Sequence, residues 1–340
     1  MTLGSLFAGV GGFDLGFERA GFKTIWQCEI DKAAQGVLRR HFPDAKLHSD
    51  VCQVGAHNLE PVDVVTYGSP CVDLSVAGLR AGLEGERSGL FHEAVRVIRE
   101  LRERYGKPDI AIWENVIGAF SSNEGADFQA VIASLADCGA LDVAWRVINS
   151  RYWGVAQQRR RVFLVADFAG ERAAEILDLA SSGSWNLTQS RKARKADPRA
   201  AERGTSLDSL LSGAVTSKWH KGGGPAGDEC YNLVPAYVPE QAACLETTCN
   251  DYSRADGFCA MAYAAPRLMA RRLTPTETER LQSFPDGWTD SGVCMDAKLR
   301  PQSDTARYKQ LGNAVTVNVA EWIARRVAAT LVDHLLAQSE

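Results

Sequence analysis

Leu3-Gly4-Ser5-Leu6-Phe7-Ala8-Gly9-Val10-Gly11-Gly12 is a short apolar run that breaks into a cluster of glycines. A run of that length suits a buried strand, and the glycines let the backbone turn sharply and come close to a ligand. A helical pattern follows at once over residues 13–20, so the stretch reads as the first strand–turn–helix unit of an α/β chain. The alternation continues outward. Strands are predicted at 24–28, 62–67, 110–113, 141–147 and 162–166, and helices at 31–41, 90–105 and 127–138. Strand and helix in turn imply a mostly parallel sheet flanked by helices, with ligands bound beyond the carboxyl ends of the strands. The glycine spacing departs from Gly-x-Gly-x-x-Gly, which disfavours a nicotinamide dinucleotide.

The remainder of the chain bounds the reading. Its 340 residues are 45% hydrophobic and 24% charged, as expected of a globular protein with one large core and a smaller lobe. No apolar run is long enough for a membrane span, and no signal peptide is visible, which leads us to expect a cytoplasmic protein. The nine cysteines show no Cys-x-x-Cys pair, so no metal site is expected and most should be small buried thiols. A net charge of −4 argues weakly against nucleic acid, whereas Arg159-Arg160-Arg161, residues 191–195 and Arg271-Arg272 concentrate positive charge locally. From 168 to 266 the texture turns irregular and rich in Ser, Gly and Lys/Arg, and helical patterns return at 276–283, after Pro275, and at 315–336.

Four groups of residues sit at predicted strand ends. In the first, the glycine turn is accompanied by Glu29, placed to hold a ribose diol, and by Asp50, placed to accept from an adenine amino group. Each of these has an ordinary alternative as a turn or a helix cap. The second is Gly68-Ser69-Pro70-Cys71, a thiol on a loop rather than inside an apolar run. It is either a nucleophile needing a thiolate-stabilising environment or a structural cysteine. Glycines 78, 82, 85 and 89 follow it and suit a segment that closes over a substrate. The third, Trp113-Glu114-Asn115-Val116, offers a proton donor or acceptor and an amide. The fourth, Gln157-Gln158-Arg159-Arg160-Arg161, is either a solvated face or a clamp for phosphate or a base edge.

These four groups, in this order, resemble the conserved blocks of the DNA cytosine-5 methyltransferase family. So do Arg272-Leu273-Thr274-Pro275-x-Glu277-x-x-Arg280-Leu281-Gln282-x-Phe284-Pro285 and Gln310-x-Gly312-Asn313-Ala314-Val315. The likeness covers residues 3–166 and 271–322. It implies an S-adenosylmethionine-dependent, Rossmann-like α/β catalytic domain formed by 1–167 and 305–340, a target-recognition domain at 168–270 and a hinge segment at 271–304. It also implies a cofactor wall of Phe7, Ala8, Gly9, Gly11, Gly12, Glu29, Ile30, Asp50, Val51, Pro70, Leu90, Asn313, Ala314 and Val315. Double-stranded DNA is the implied substrate. Ser75 and Arg80 are candidates for backbone contacts, and Thr216, Lys218, Lys221, Thr248 and Arg254 for major-groove readout.

The implied chemistry begins with Cys71 attacking C6 of a flipped-out cytosine, which makes C5 nucleophilic enough to take a methyl group. Protonated Glu114 is the expected donor at N3, Asn115 the residue that orients Glu114 or the base, and Arg159 the contact to the ring carbonyl, with Gln157 and Arg161 as supports. Two positions depart from the family pattern: Val72 stands where Gln usually follows the cysteine, and Ser283 stands where Gly is usual. The same blocks admit a tRNA cytosine-5 methyltransferase, or a non-catalytic DNA-binding regulator with this fold. The catalytic reading is preferred because Cys71, Glu114, Asp50 and Asn313 are all present. Restriction–modification in a prokaryotic cell or phage-infected host, action as a monomer and a separately acting cognate endonuclease complete the expectation.

Overall fold

The protein was analysed as a computed structural model that describes residues 1–69, 89–179, 233–237 and 268–337. Side chains at 233–237, 268–272 and 334–337 lie outside that description. The first strand, β1 (Thr2–Leu6), pairs in parallel with β2 (Lys23–Cys28) on one side and β4 (Val64–Tyr67) on the other. Short β3 (Lys46–His48) extends the sheet beyond β2, and β5 (Ile110–Val116) joins β4 in parallel. Strand β7 (Arg160–Asp167) then inserts antiparallel between β5 and β6 (Asp142–Asn149), giving the order β3-β2-β1-β4-β5-β7-β6. Every strand expected from the sequence is present, and β7 is the only reversed member. The order changes direction at β1/β4, the position where an open sheet leaves a crevice.

Side chains alternate across this sheet and feed two apolar layers. Leu6, Val65, Tyr67, Ala111 and Trp113 face α3 (Gly89–Tyr105) and α4 (Ala126–Asp137), whereas Leu3, Val64, Ile110 and Ile112 face the opposite layer. That second layer holds α1 (Gly12–Arg19), the single-turn α5 (Ala173–Ile176) and α8 (Val317–Ala337). Helix α8 buries Val319, Ala320, Ile323, Ala324, Val327 and Leu331, a stripe at helical spacing. It crosses α1 so closely that a Cβ at Gly16 would lie 2.7 Å from the Ala320 Cβ. The two ends of the described chain therefore pack as one unit, and the turn after β1 and the turn before α8 come to lie side by side.

A third apolar cluster joins α2 (Lys32–His41) to α6 (Pro275–Leu281) and α7 (Asp304–Asn313), through Val37, Leu38, Leu273, Phe284, Trp288 and Leu311. Helix α6 begins with Thr274 and Glu277 in a reciprocal capping box and Pro275 in its first turn, as its sequence implies. It ends in a Schellman motif, in which the Phe284 amide bonds Glu279 O and the Ser283 amide bonds Arg280 O. Ser283 therefore sits at φ 63, a left-handed conformation suited to glycine, and its buried Oγ has no partner among the described residues. The hairpin of β10 (Ser291–Val293) and β11 (Leu299–Pro301) lies on α2, where Gly36 meets Gly292. A second hairpin pairs β8 (Leu233–Tyr237) with β9 (Leu268–Arg272). Among the described residues no helix is long and apolar enough to cross a membrane, and no cluster of metal-ligating side chains occurs.

Candidate active site

An open cleft of about 410 Å³ lies at the carboxyl ends of β1, β2, β4 and β5, a size suited to a small-molecule cofactor. Its first wall is made by loops that leave the strands. Phe7 (φ 54), Gly9 (φ 58) and Gly11 (φ 83) alternate through left-handed backbone, which swings the turn away from β1 and exposes the Gly9 amide. That amide donates to Glu29 Oε2, and the Asp31 amide donates to Glu29 Oε1, both at 2.8 Å. Burial raises the Glu29 pKa, and the amides from Asp31 and Gly9 oppose that rise, so the carboxylate is fixed by backbone rather than by a counter-ion. Ile30 stands 77% exposed in the same wall, a flat apolar surface beside an acid. Asp50 accepts from the Cys52 amide at 2.9 Å and also lines the cleft, together with Val51 and, from the start of α3, Leu90.

The opposite wall is ionic. Glu114, at the end of β5, keeps 11% of its side chain exposed, and its Oε1 lies 3.3 Å from Arg161 Nε. Burial raises the Glu114 pKa above the ordinary carboxyl value, and the cations of Arg161 and Arg159 oppose that rise. Arg159 is buried, donating from Nη1 to Gly312 O at 3.1 Å and from Nη2 to Ala314 O at 2.8 Å. Burial and the neighbouring Arg161 cation push its pKa down to about 9, so it remains charged at neutral pH. Asn115 Nδ2 donates to Ser69 O at 3.3 Å, and Trp113 Nε1 donates to Ser69 Oγ at 3.2 Å. These two side chains pin the residue that leads into Pro70-Cys71.

The cleft therefore brings together Phe7, Gly9, Glu29, Ile30, Asp50, Val51, Leu90, Glu114, Asn115, Arg159, Arg161 and Asn313. Five other residues expected on the cofactor wall lie near it without lining it. A Cβ at Gly11 would strike Phe42 and one at Gly12 would strike Val315, so those glycines serve close packing. Ala8, Ala314 and Val315 belong to the apolar clusters. Gln157 is fully buried and donates to Leu281 O at 2.8 Å, tying the start of β7 to α6. Pro70, Cys71, Val72, Ser75, Arg80, Thr216, Lys218, Lys221, Thr248 and Arg254 lie outside the described residues. Sequence reasoning missed Cys28, Asp31, Ser49, Ser69, Lys309, Gln310 and Gly312 as lining residues. Asp31 carried a signal, since an Asp directly before a helical run is an N-cap, and here it accepts from the Ala33 and Ala34 amides. It also meets Lys309 Nζ at 3.0 Å, across 278 residues, a pairing without any local signal.

Comparison with known proteins shows the family. The model of the family described as C-5 cytosine-specific DNA methylase matches residues 1–329. The Type II methyltransferase M.Bsp6I of Bacillus sp. (strain RFL6) is 29% identical over 346 residues, spanning 98% of this chain and 100% of that protein. The Type II methyltransferase M.Eco47II of Escherichia coli is 30% identical over 363 residues, spanning 98% of this chain and 79% of that one. Among solved structures, the S. pombe Dnmt2 methyltransferase superposes with a TM-score of 0.63 at 18% identity, over 97% of this chain and 99% of that one, a likeness of fold.

Proposed function

We propose that this chain, which belongs to the C-5 cytosine-specific DNA methylase family, moves a methyl group from S-adenosylmethionine to C5 of a cytosine flipped out of duplex DNA. The observation that carries the reading is the facing of two unlike walls across one cleft: amide-fixed Glu29 with exposed Ile30 and Asp50, opposite a largely enclosed Glu114 beside Arg161. The donor set of the first wall fits the proposed cofactor. Glu29 has lone pairs left for a ribose diol, Ile30 offers an apolar face for a purine, Asp50 suits an exocyclic amine, and Asn313 closes the far side. When bound there, S-adenosylmethionine supplies an electrophilic methyl group on a sulfonium.

The residues of the second wall account for the activation of the base. In this reading the Cys71 thiolate adds to C6, and the displaced ring electrons reach N3 and C5. Glu114 gives its proton to N3, so the ring avoids a full negative charge and C5 gains enamine character. The C5–CH3 bond would form as the methyl–sulfonium bond breaks, leaving a neutral thioether. Loss of the C5 proton then lets the C6–S bond break, and N3 returns its proton to Glu114, which restores the neutral aromatic ring and releases Cys71. Arg161, beside Glu114 and partly open to the cleft, is better placed than Arg159 to meet the ring carbonyl, because both Nη atoms of Arg159 already donate to backbone carbonyls. Asn115 and Trp113 act one step back, holding Ser69 so that the following Pro70-Cys71 has a fixed point of departure. Base flipping is part of this reading because Glu114 is largely enclosed in the cleft, and a base inside the duplex stack is out of reach of such a group. The 168–270 lobe reads the target sequence as a monomer on DNA, and a separate restriction endonuclease is its natural counterpart.

Trapping tests the covalent step. Duplex DNA carrying 5-fluorocytosine should form a stable protein–DNA adduct only with cofactor present, because fluorine at C5 cannot leave as a proton. The adduct should map to Cys71 by peptide mass. An adduct at another residue would overturn the assignment of the nucleophile, and absence of any adduct from folded, cofactor-binding protein would overturn the covalent mechanism.

A further inference from the structure

Gln282 follows the last turn of α6 and is completely buried, yet it does not line the cleft. Its Nε2 donates to Leu311 O at 2.9 Å and more weakly to Ala314 O at 3.5 Å. Its Oε1 accepts from Thr316 Oγ1 at 2.8 Å, and its backbone carbonyl accepts from the Val317 amide at 3.0 Å. These partners span the junction of the two helices: Leu311 in the last turn of α7, Ala314 and Thr316 in the connection, and Val317 at the start of α8. The last carbonyls of a helix and the first amides of the next lack partners within their own helices and need them from outside. One residue thus serves both: it caps the end of α7 through its amide group and the start of α8 through its carbonyl.

Arg159 grips the same connection from the other side, through Gly312 O and Ala314 O. Its cation is favourable at a helix carboxyl end, where the carbonyl dipoles converge. Between the two clamps, Gly312 and Asn313 are held out into the cleft wall. Two residues beyond Arg159, Arg161 meets Glu114. Thr316 and Glu114 also border a single small cavity of about 10 Å³ with Arg159 and Arg161, so the connection backs directly onto the catalytic acid.

We infer that Gln282 is a positioning residue for methyl transfer. By fixing residues 311–316 against Arg159, it sets both the place of Asn313 in the cofactor wall and the place of Arg161 against Glu114. It couples the two walls of the cleft while touching neither substrate. The inference rests on the proposed reaction, so its test carries a wild-type control.

Steady-state methylation of duplex DNA is measured for the wild type and for Gln282→Met, Thr316→Val and Thr316→Ser. Rates are normalised to active sites titrated with the 5-fluorocytosine duplex, and thermal melts run alongside. Thr316→Val should raise the cofactor KM and lower kcat by about tenfold, the size of one lost buried hydrogen bond, and Gln282→Met, which also loses the bonds to Leu311 and Ala314, by at least about tenfold. Thr316→Ser, which keeps the hydroxyl, should stay within about twofold of the wild type. The double variant Gln282→Met/Thr316→Val should be no worse than the worse single one, because both break the same link. Variants that lose melting temperature but keep cofactor KM and kcat per active site would overturn the inference, leaving Gln282 a purely structural residue. If Gln282→Met does not fold, the contrast between Thr316→Val and Thr316→Ser decides, and equal kinetics for those two overturns the inference. An active wild type with indifferent variants removes this inference alone, whereas a wild type that methylates no cytosine removes the proposed reaction and the inference with it.

Discussion

On one wall of the cleft, Glu29 is held by backbone amides no more than 20 residues away, whereas on the facing wall Arg159 is held by carbonyls up to 155 residues away. The first wall is assembled by a strand end and the turn beside it, and its charge is solvated by fixed N–H groups. The second is a desolvated carboxyl and two cations, which exist in place only because both ends of the chain converge there. The difference teaches which substitutions are costly. Removing an amide-held acid leaves amides that water or a ligand can satisfy. Removing one member of a buried charged cluster leaves the others unpaired.

The contrast is broken or sharpened most strongly at Glu114. Glu114→Gln should lower kcat by about 10²–10³-fold while leaving the cofactor KM within about twofold, since a general acid acts in the transition state. A variant in which KM rises and kcat is kept would make Glu114 a binding group and erase the distinction between the walls.

Behind the turn that follows β1 lies a buried carboxyl that meets no cation among the described residues. Asp14 accepts from Gln27 Nε2 at 2.9 Å, and burial raises its pKa from 3.8 to about 7 against the pull of hydrogen bonds from Gln27 and Ser5. Between these two pH values the folded protein keeps a proton that the unfolded chain has released. Stability should therefore fall as pH rises through this window and level off above about 7. The whole effect is bounded by roughly 4 kcal/mol, the interval converted at about 1.4 kcal/mol per pH unit. Asp14→Asn should flatten that slope, so urea melts should favour the variant more at pH 8 than at pH 5. Parallel slopes would mean that Asp14 ionises as it does in water.

Glu29→Ala probes the amide-held wall itself. The cofactor KM should rise about tenfold, with kcat within about threefold, as expected when ground-state hydrogen bonds are lost. A loss of kcat as large as that of Glu114→Gln would make the two walls equivalent. The smallest effect is expected outside both walls. Ser283→Gly should stabilise the fold by about 1 kcal/mol, by relieving a left-handed serine and removing a buried hydroxyl without a described partner. A destabilised variant would show that the hydroxyl contributes more than the strain costs.

Much of the sheet was legible because its signals are short-range. Apolar runs, the glycine turn after β1 and the Pro275 capping box each report local backbone geometry. The β10/β11 hairpin is too short and too polar to stand out, and packing on α2 creates it. The first wall was legible for the same reason, since Phe7, Gly9, Glu29 and Asp50 all stand next to a strand end. The division of labour between Arg159 and Arg161 was not. Two arginines spaced by one residue look alike until Gly312 and Ala314 arrive to occupy one of them. Gln282, too, is visible in the sequence only as a member of the 272–285 block, and its partners Leu311 and Thr316 are supplied by distant chain.

The identity of the modified atom tests the account most directly. Duplex DNA of mixed sequence is incubated with methyl-labelled S-adenosylmethionine and either the wild type or Cys71→Ala, then digested to nucleosides and sequenced at base resolution. The account predicts label in 5-methylcytosine alone, within one short recognition sequence, and none with Cys71→Ala. Label in N6-methyladenine or N4-methylcytosine, or undiminished labelling by Cys71→Ala, would contradict it.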